Sequence, residues 1–176
     1  MWKPIRTFLL LLIVGTVVGA CAGMQRETTG ALASPATVEA QIEEARKQFA
    51  DAYQRGDAVA LSELFAPDAA FTGTISPVWR QGREAIRDNW ARVFREFPRS
   101  EISFSDPVVR FYNISPKGTI TDNTIAVETG LFEMRMVNTA GQLSQTPGKY
   151  SLIRVWRNGR WEIVNYHTSP IPGQRQ

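Results

Sequence analysis

The spacing of the apolar residues changes about halfway along the chain, and this change constrains the fold more than any other feature. Before Pro98, apolar residues recur at three- and four-residue steps, which is typical of helices with one buried face. Beyond it they alternate with polar residues, which is typical of half-buried strands. Helices followed by antiparallel strands predict an α+β domain with the helices packed on one face of a curved sheet.

The first predicted helix begins near Pro35, because proline is favoured at the first helical position. Its apolar stripe runs from Val38 to Tyr53, and Gly56 ends it. The charged residues of this segment are expected mostly on the solvent side: Glu43, Glu44, Arg46 and Lys47.

Two further helices and two short strands are expected before the spacing changes. Asp57 caps a short second helix that ends at Pro67-Asp68, and Arg83–Phe97 forms the third helix. Between these helices, Ala69–Thr74 and Val78–Arg80 are candidates for short strands.

Long strands are predicted for the second half. Pro107 indicates a bulge or a sheet edge in the first of them. Gly130, inside the strand Thr124–Val137, indicates a bulge or a sharp bend. Asn138–Lys149 is rich in Gly, Pro, Ser and Thr and is expected to form a loop.

Asn158-Gly159 is the strongest turn signal in the sequence, since Asn-Gly between two strands favours a tight hairpin. It joins the predicted strands Tyr150–Arg157 and Arg160–His167. Alternation places two sets of residues on one face of their strands: Tyr150, Leu152, Arg154 and Trp156 in the first, and Trp161, Ile163, Asn165 and His167 in the second.

The N-terminal segment resembles a bacterial lipoprotein signal. Lys3 and Arg6 precede an almost purely apolar run, Phe8–Val18, which is short for a membrane-crossing helix. Val18–Cys21 then resembles the box at which the signal is removed and the cysteine acylated. The alternatives are an ordinary signal peptide with an incidental cysteine and an uncleaved anchor helix.

The lipoprotein interpretation divides the chain into four parts. These are a signal peptide at 1–20, a flexible tether at 21–36, a folded domain at 37–172 and a tail at 173–176. The tether is small and polar and lacks periodicity. We expect such a protein to be lipid-anchored in the bacterial cell envelope, facing the periplasm or the exterior.

The charge balance argues against nucleic-acid binding. The chain has 20 Lys and Arg against 17 Asp and Glu, and removing Lys3 and Arg6 with the signal leaves 18 against 17, a net charge of about +1. No cysteine follows Cys21, so the predicted fold needs no disulfide within the chain.

Several motifs resemble nuclear transport factor 2-like (SnoaL-like) domains. The opening motifs are Ala52–Asp57, Leu61, Leu64–Ala69 and Phe71, followed by Gly82–Ile86, which is similar to the start of the family's third helix. The closing motifs resemble the C-terminal hairpin of the calcium/calmodulin-dependent protein kinase II association domain and its bacterial relatives: Arg154–Trp156, Asn158–Trp161, Val164–Ser169 and Pro172. The resemblance spans Val38–Pro172.

This resemblance implies a cone, in which a strongly curved antiparallel sheet surrounds a pocket and three N-terminal helices close the narrow side. Such cones house isomerases, cyclases, dehydratases, hub oligomers and binding proteins, so the fold implies no single function. Three functions stay open: binding of a small organic anion without turnover, a cofactor-free isomerase, cyclase or hydrolase, and an oligomerisation module. Binding ranks first, since no acid–base pair stands out. The open sheet also predicts a homodimer.

Arg154 is the foremost site residue. Its position between Leu152 and Trp156 places a charge on a mostly apolar face, where it needs a partner. In the association-domain relatives, the arginine of the Arg-Val-Trp motif points into the cone and can hold a carboxylate, and the resemblance carries this role to Arg154. The alternatives are a solvent-facing arginine and one paired with Glu128.

Two residues are candidates for a catalytic base. Glu128 precedes the predicted bend at Gly130 and is a candidate both for a carboxylate base and, together with Arg154, for ligand binding. The alternatives for Glu128 are a salt-bridge partner and an exposed strand residue. His167, the only histidine, is either a base or a residue that fixes the C-terminal segment by hydrogen bonds.

Aromatic residues could wall a pocket for a flat apolar ligand. Trp79 and Tyr112 are candidates for ligand binding, and Trp90 and Phe132 are further candidates for the pocket wall. For each of the four residues, packing in the core is the alternative. The sequence has no metal-binding motif, phosphate-binding loop or dinucleotide fingerprint, so we predict neither a metal nor a cofactor.

Replacing Cys21 by serine tests the lipoprotein interpretation. We expect wild-type protein made in a Gram-negative host to incorporate a labelled fatty acid and to fractionate with membranes. Cys21→Ser should abolish the label and release or mislocalise a folded domain, because the predicted tether lies outside the core. Unlabelled, fully soluble wild-type protein would contradict the interpretation.

Overall fold

The computed structural model of the chain describes residues 35–117 and 119–172. The predicted signal peptide, the acylation site at Cys21, almost all of the tether and the tail at 173–176 lie outside the described residues. Within the described ranges, no helix combines the length and the apolar character needed to cross a membrane.

Within the described residues, three helices form where the apolar stripes predict them: α1 (Pro35–Gln54), α2 (Ala58–Glu63) and α3 (Arg83–Glu96). Gly56 follows α1 with a φ of +65°, a conformation that costs glycine little. The Asp57 side chain accepts a hydrogen bond of 2.9 Å from the backbone N–H of Ala60, which confirms it as the N-cap of α2.

In the part of the chain that the structure describes, six strands form one sheet: β1 (Phe65–Gly73), β2 (Ser76–Gln81), β3 (Arg99–Tyr112), β4 (Ile125–Val137), β5 (Leu143–Arg157) and β6 (Arg160–Pro170). Their order is β2-β1-β6-β5-β4-β3. Neighbours pair antiparallel except for β1 and β6, which are parallel. The α+β prediction is therefore confirmed, with β2 and β3 at the two edges.

Two predicted boundaries are wrong. The second helix does not reach Pro67-Asp68, because the chain enters β1 at Phe65, which is fully buried and lies beside Ile163 of β6. The loop predicted for Asn138–Lys149 is also too long. β5 already begins at Leu143 and pairs with β4 without a register shift, so long-range pairing overrides the turn-forming composition.

The main core lies between the helices and one face of the sheet and is strongly aromatic. Phe71 stacks between Trp90 and Tyr166, with ring centroids 5.2 and 5.5 Å apart. Phe49 of α1 contacts Tyr166 and Phe104 edge to face, at 5.4 and 5.9 Å. These rings fasten α1 and α3 to the sheet.

The pairing register shifts at four places in the described sheet, and two of these shifts are β-bulges with one extra residue. One lies in β3 between Ser105 and Val108, where two residues face Gly130 of β4. The prediction from Pro107 of a bulge or a sheet edge is confirmed, because β3 contains a bulge and is also an edge strand. The bulge expected at Gly130 of β4 lies instead in β3, opposite that glycine. The other lies in β6, where Ile153 and Arg154 of β5 face Asn165 and Ile163, so that one extra residue is inserted.

Gly130 provides space for a specific side chain. It lies opposite Tyr150 of β5, and a Cβ atom at residue 130 would be 2.8 Å from Cε1 and 3.0 Å from the hydroxyl oxygen of Tyr150. The same atom would be 3.0 Å from the Ser105 carbonyl oxygen. The Tyr150 ring therefore occupies space over β4 that the side chain of any residue other than glycine at position 130 would fill.

Gly130→Ala should destabilise the fold by about 1–3 kcal/mol, because the added methyl group forces the Tyr150 ring to move. Chemical denaturation measures this loss. Thr129→Ala is the control, because Thr129 is exposed on the opposite face of the same strand, and we expect it to cost less. Equal losses in the two variants would contradict the proposed close contact.

Candidate functional site

A buried carboxylate lies on the inner face of the sheet, on the strand next to the β3 edge. Glu128 of β4 is fully buried and accepts hydrogen bonds from three side chains. Its Oε1 accepts from the Tyr150 hydroxyl at 2.6 Å and from Nε of Arg46 at 2.6 Å. Its Oε2 accepts from Nη1 of Arg154. We call these four residues the buried ion cluster.

Strand register places three members of the buried ion cluster. Glu128 lies directly opposite Leu152, and its neighbours on the same face of β5 are Tyr150 and Arg154. Both are diagonal neighbours of Glu128, a separation that long side chains span. The predicted alternation of Tyr150, Leu152 and Arg154 is confirmed, since all three are buried.

The fourth member comes from a helix. Arg46 lies on α1, four residues after the buried Ile42 and three before the buried Phe49, so its stem follows the apolar stripe. Its side chain is 16% exposed, and it bonds to Glu128 across 82 residues of sequence. The expectation that Arg46 faces solvent is therefore wrong, because the stem packs inward and the guanidinium reaches the sheet.

The protonation states in the buried ion cluster follow from its surroundings. Burial alone would raise the pKa of Glu128, but the charge of Arg154 and the hydrogen bonds from Tyr150 and Arg46 hold that pKa below its ordinary value. Burial and the neighbouring Glu128 raise the pKa of Tyr150, so its phenol stays a donor. Burial lowers the pKa of Arg154, yet a guanidinium remains protonated.

The buried ion cluster carries an excess positive charge. Two guanidinium groups, Arg46 and Arg154, share the single carboxylate of Glu128, while Tyr150 is neutral. Among the described residues, Arg154 makes one hydrogen bond, to Glu128, although a guanidinium offers five N–H donors. Arg154 is only 1% exposed. The other N–H donors of Arg154 have no protein partner among the described residues, and an anionic ligand could accept hydrogen bonds from them.

Arg154 also lines a cleft of about 500 Å³ between α1, the end of α2 and the strands β5 and β6. The apolar walls are Ala40, Ala45, Leu64, Trp156, Trp161 and Ile163. Polar side chains complete the lining: Thr37, Gln41, Glu44, Gln48, Glu63 and Arg160. Nε1 of Trp161 donates to the Gln41 side chain at 3.1 Å, which fixes the indole against α1. The volume suits a small organic molecule.

The structure brings only two of the ligand-binding candidates together. Arg154 and Glu128 are in direct contact, whereas Trp79 on β2 is 60% exposed and Tyr112 at the end of β3 is 50% exposed. Neither Trp79 nor Tyr112 lines the cleft. Trp90 and Phe132 are buried in the core.

His167 lies away from the buried ion cluster because of the bulge in β6. The extra residue shifts the alternation, so Trp161 and Ile163 share the inner side with Tyr166 and Thr168 instead of with Asn165 and His167. His167 is exposed and Asn165 half-buried. The prediction that all four alternate residues of this strand share one face is wrong.

Sequence reasoning missed Arg46, the role of Tyr150 and the tryptophan-lined cleft. The spacing of Arg46 from Ile42 and Phe49 was the available signal for a helix-borne partner. The position of Tyr150 two residues from Leu152, with Gly130 opposite, becomes informative only once the β4–β5 register is known.

Comparison with known proteins agrees with this fold. The sequence model of the SnoaL-like domain matches residues 42–173. A Xanthomonas campestris structure named for the calcium/calmodulin-dependent protein kinase II association domain has 23% identity and a TM-score of 0.60, covering 80% of this chain and 90% of the other. No protein of curated function gives a significant sequence match.

Two further structures of the nuclear transport factor 2-like superfamily are similar. A superfamily protein from Salmonella enterica serovar Typhimurium has 19% identity and a TM-score of 0.65, covering 81% of this chain and 100% of the other. A protein from Streptomyces avermitilis, named as a dehydratase of this family, has 19% identity and a TM-score of 0.64, with coverages of 78% and 99%. The described fold is that of a nuclear transport factor 2-like cone.

Glu128→Gln should destabilise the protein by about 3–5 kcal/mol, because it leaves the buried Arg154 and the partly buried Arg46 without a counter-charge. Chemical denaturation at neutral pH measures the loss. Glu101→Gln, on an exposed position of β3, is the matched control and should change stability by less than about 0.5 kcal/mol. A similar small loss in both variants would contradict a stabilising role for the buried carboxylate.

The contribution of Glu128 should also depend on pH. Its pKa is lower in the folded state than its ordinary value of 4.5, so the folded state binds this proton more weakly than the unfolded state does. The stabilisation by ionised Glu128 is therefore complete at a pH above its ordinary pKa, and it is lost as the pH falls through its pKa in the folded state. The stability difference between wild type and Glu128→Gln should shrink in that acidic range, and a constant difference would contradict the assignment.

Proposed function

Because the chain belongs to the SnoaL-like domain family, we propose that it binds a small organic anion in the cleft, with Arg154 as the residue that recognises it. The observation that carries this proposal is the excess positive charge of the buried ion cluster. A carboxylate placed on the unused donors of Arg154 would balance this charge in a site of low polarity.

The ligand would add to the buried ion cluster without displacing Glu128. Arg46 and Tyr150 also donate hydrogen bonds to the Glu128 carboxylate. Glu128 therefore keeps its position while Arg154 donates further hydrogen bonds to the ligand. The cleft supplies apolar walls for the remainder of the molecule, including Trp156 and Trp161. A planar guanidinium favours a carboxylate, which can accept two parallel hydrogen bonds.

Binding without turnover explains these residues better than catalysis does. Glu128 is ionised, fully buried and engaged by three donors, so it holds Arg154 in place and is poorly suited to abstract a proton from a ligand. His167, the other candidate base, is exposed on the other side of β6. We therefore assign Glu128 as a positioning residue.

Two further parts of the proposal rest mainly on sequence. The segment Val18–Cys21 supports export and a lipid anchor, which would hold the binding domain at the cell envelope. Exposed apolar residues on the sheet, Val108 of β3 and Leu131 of β4, support self-association as a homodimer.

Arg154→Met should weaken carboxylate binding about tenfold to a hundredfold, since it removes charged hydrogen bonds while keeping the bulk of the side chain. Calorimetry of the purified full-length protein against a panel of small carboxylates measures the loss. The fold should survive, because Glu128 keeps Arg46 and Tyr150, and the pKa of Glu128 should rise.

Arg160→Met provides the matched control. Arg160 lines the same cleft, but its side chain is 50% exposed and Nη2 is already paired with Glu162 at 2.5 Å. We expect this variant to bind carboxylates nearly as wild type does. Equal affinity of wild type and Arg154→Met would overturn the proposed function.

A further inference from the structure

The charges that line the cleft are arranged by depth. Arg154 is 1% exposed and forms part of the floor. Glu44 and Glu63 are exposed and form part of the mouth. The cleft is therefore positive at its floor and acidic at its mouth.

Arg160, the other arginine that lines the cleft, does not neutralise the carboxylates of Glu44 and Glu63. Arg160 is held by Glu162, whose Oε1 accepts from Nε at 3.0 Å and from Nη2 at 2.5 Å. Within the described part of the chain, Glu63 has no ion pair, and Glu44 accepts only a hydrogen bond of 3.2 Å from the Gln48 amide. Lys47 interacts electrostatically with Glu44, but its ammonium group is paired with Asp51 at 2.7 Å. Within the described residues, neither carboxylate of the mouth therefore forms an ion pair of its own.

The geometry points to a zwitterionic ligand: an elongated acid with its carboxylate on Arg154, an apolar linker along the walls and an ammonium group at Glu44 and Glu63. This inference rests on the proposed function and specifies the class of anion. Leu64, Trp156 and Ile163 line the region that the linker would occupy. A simple dicarboxylate would place its second charge against the acidic mouth and bind less well.

Matched acids of equal chain length test this inference on the purified full-length protein. Calorimetry at low ionic strength compares hexanoate, 6-aminohexanoate and hexanedioate, with the five- to eight-carbon homologues of each. We expect the amino acid of the best length to bind about threefold to tenfold more tightly than the plain acid, and the dicarboxylate to bind more weakly than the plain acid. Added salt should reduce this preference, because the mouth is exposed to solvent.

Variants at the mouth separate this inference from the proposed function. The double variant Glu44→Gln/Glu63→Gln should bind the plain acid at least as tightly as wild type and lose the preference for the amino acid. Glu43→Gln is the matched control, since Glu43 is exposed on the same helix but does not line the cleft. It should keep the preference.

The outcomes are distinct. Equal affinity for plain and amino acids in wild type, or a preference that survives the double variant, would overturn the zwitterion inference while leaving carboxylate binding intact. Plain-acid binding that is unchanged by Arg154→Met would overturn the proposed function. If none of the acids binds, both proposals fall.

Discussion

The contact between Glu128 and its three donors is the interaction on which the rest of this domain depends. It joins the consecutive strands β4 and β5 to α1, whose Arg46 is 82 residues from Glu128 in sequence. Removing a carboxylate from water is costly, and the cost is offset only when all the donors are in place. The position of α1 on the sheet and the pairing of β4 with β5 are thereby set together.

Aromatic side chains of the core pack against one side of this polar centre. Phe104 contacts Tyr150 edge to face at 5.0 Å and Phe49 at 5.9 Å, so rings from β3, β5 and α1 pack beside the buried ion cluster. On the other side, Arg154 reaches the cleft. The same guanidinium thus serves the interior of the fold and the surface that a ligand would approach.

Much of this arrangement could be predicted from residue spacing, and the remainder depends on pairing between distant segments. Alternation in β5 correctly places Arg154 and Leu152 on the inner face, and the tight turn at Asn158-Gly159 forms as expected. The same reasoning fails for His167, because an extra residue in β6 reverses the alternation, and a bulge has no clear mark in a run without glycine or proline. Arg46 was missed because a charged residue beside an apolar stripe is usually solvated.

The pairing of Glu128 with Arg154 also gives the sheet a means of rejecting the wrong alignment. Successive residues of a strand face opposite sides, so a slip of one residue between β4 and β5 would carry Glu128 to the outer face if β5 kept its place. Arg154 would then remain inside without its carboxylate, and the Tyr150 ring would meet a side chain where Gly130 now leaves room. The misaligned sheet would suffer both an uncompensated charge and a steric clash, so electrostatics and shape select the same native register.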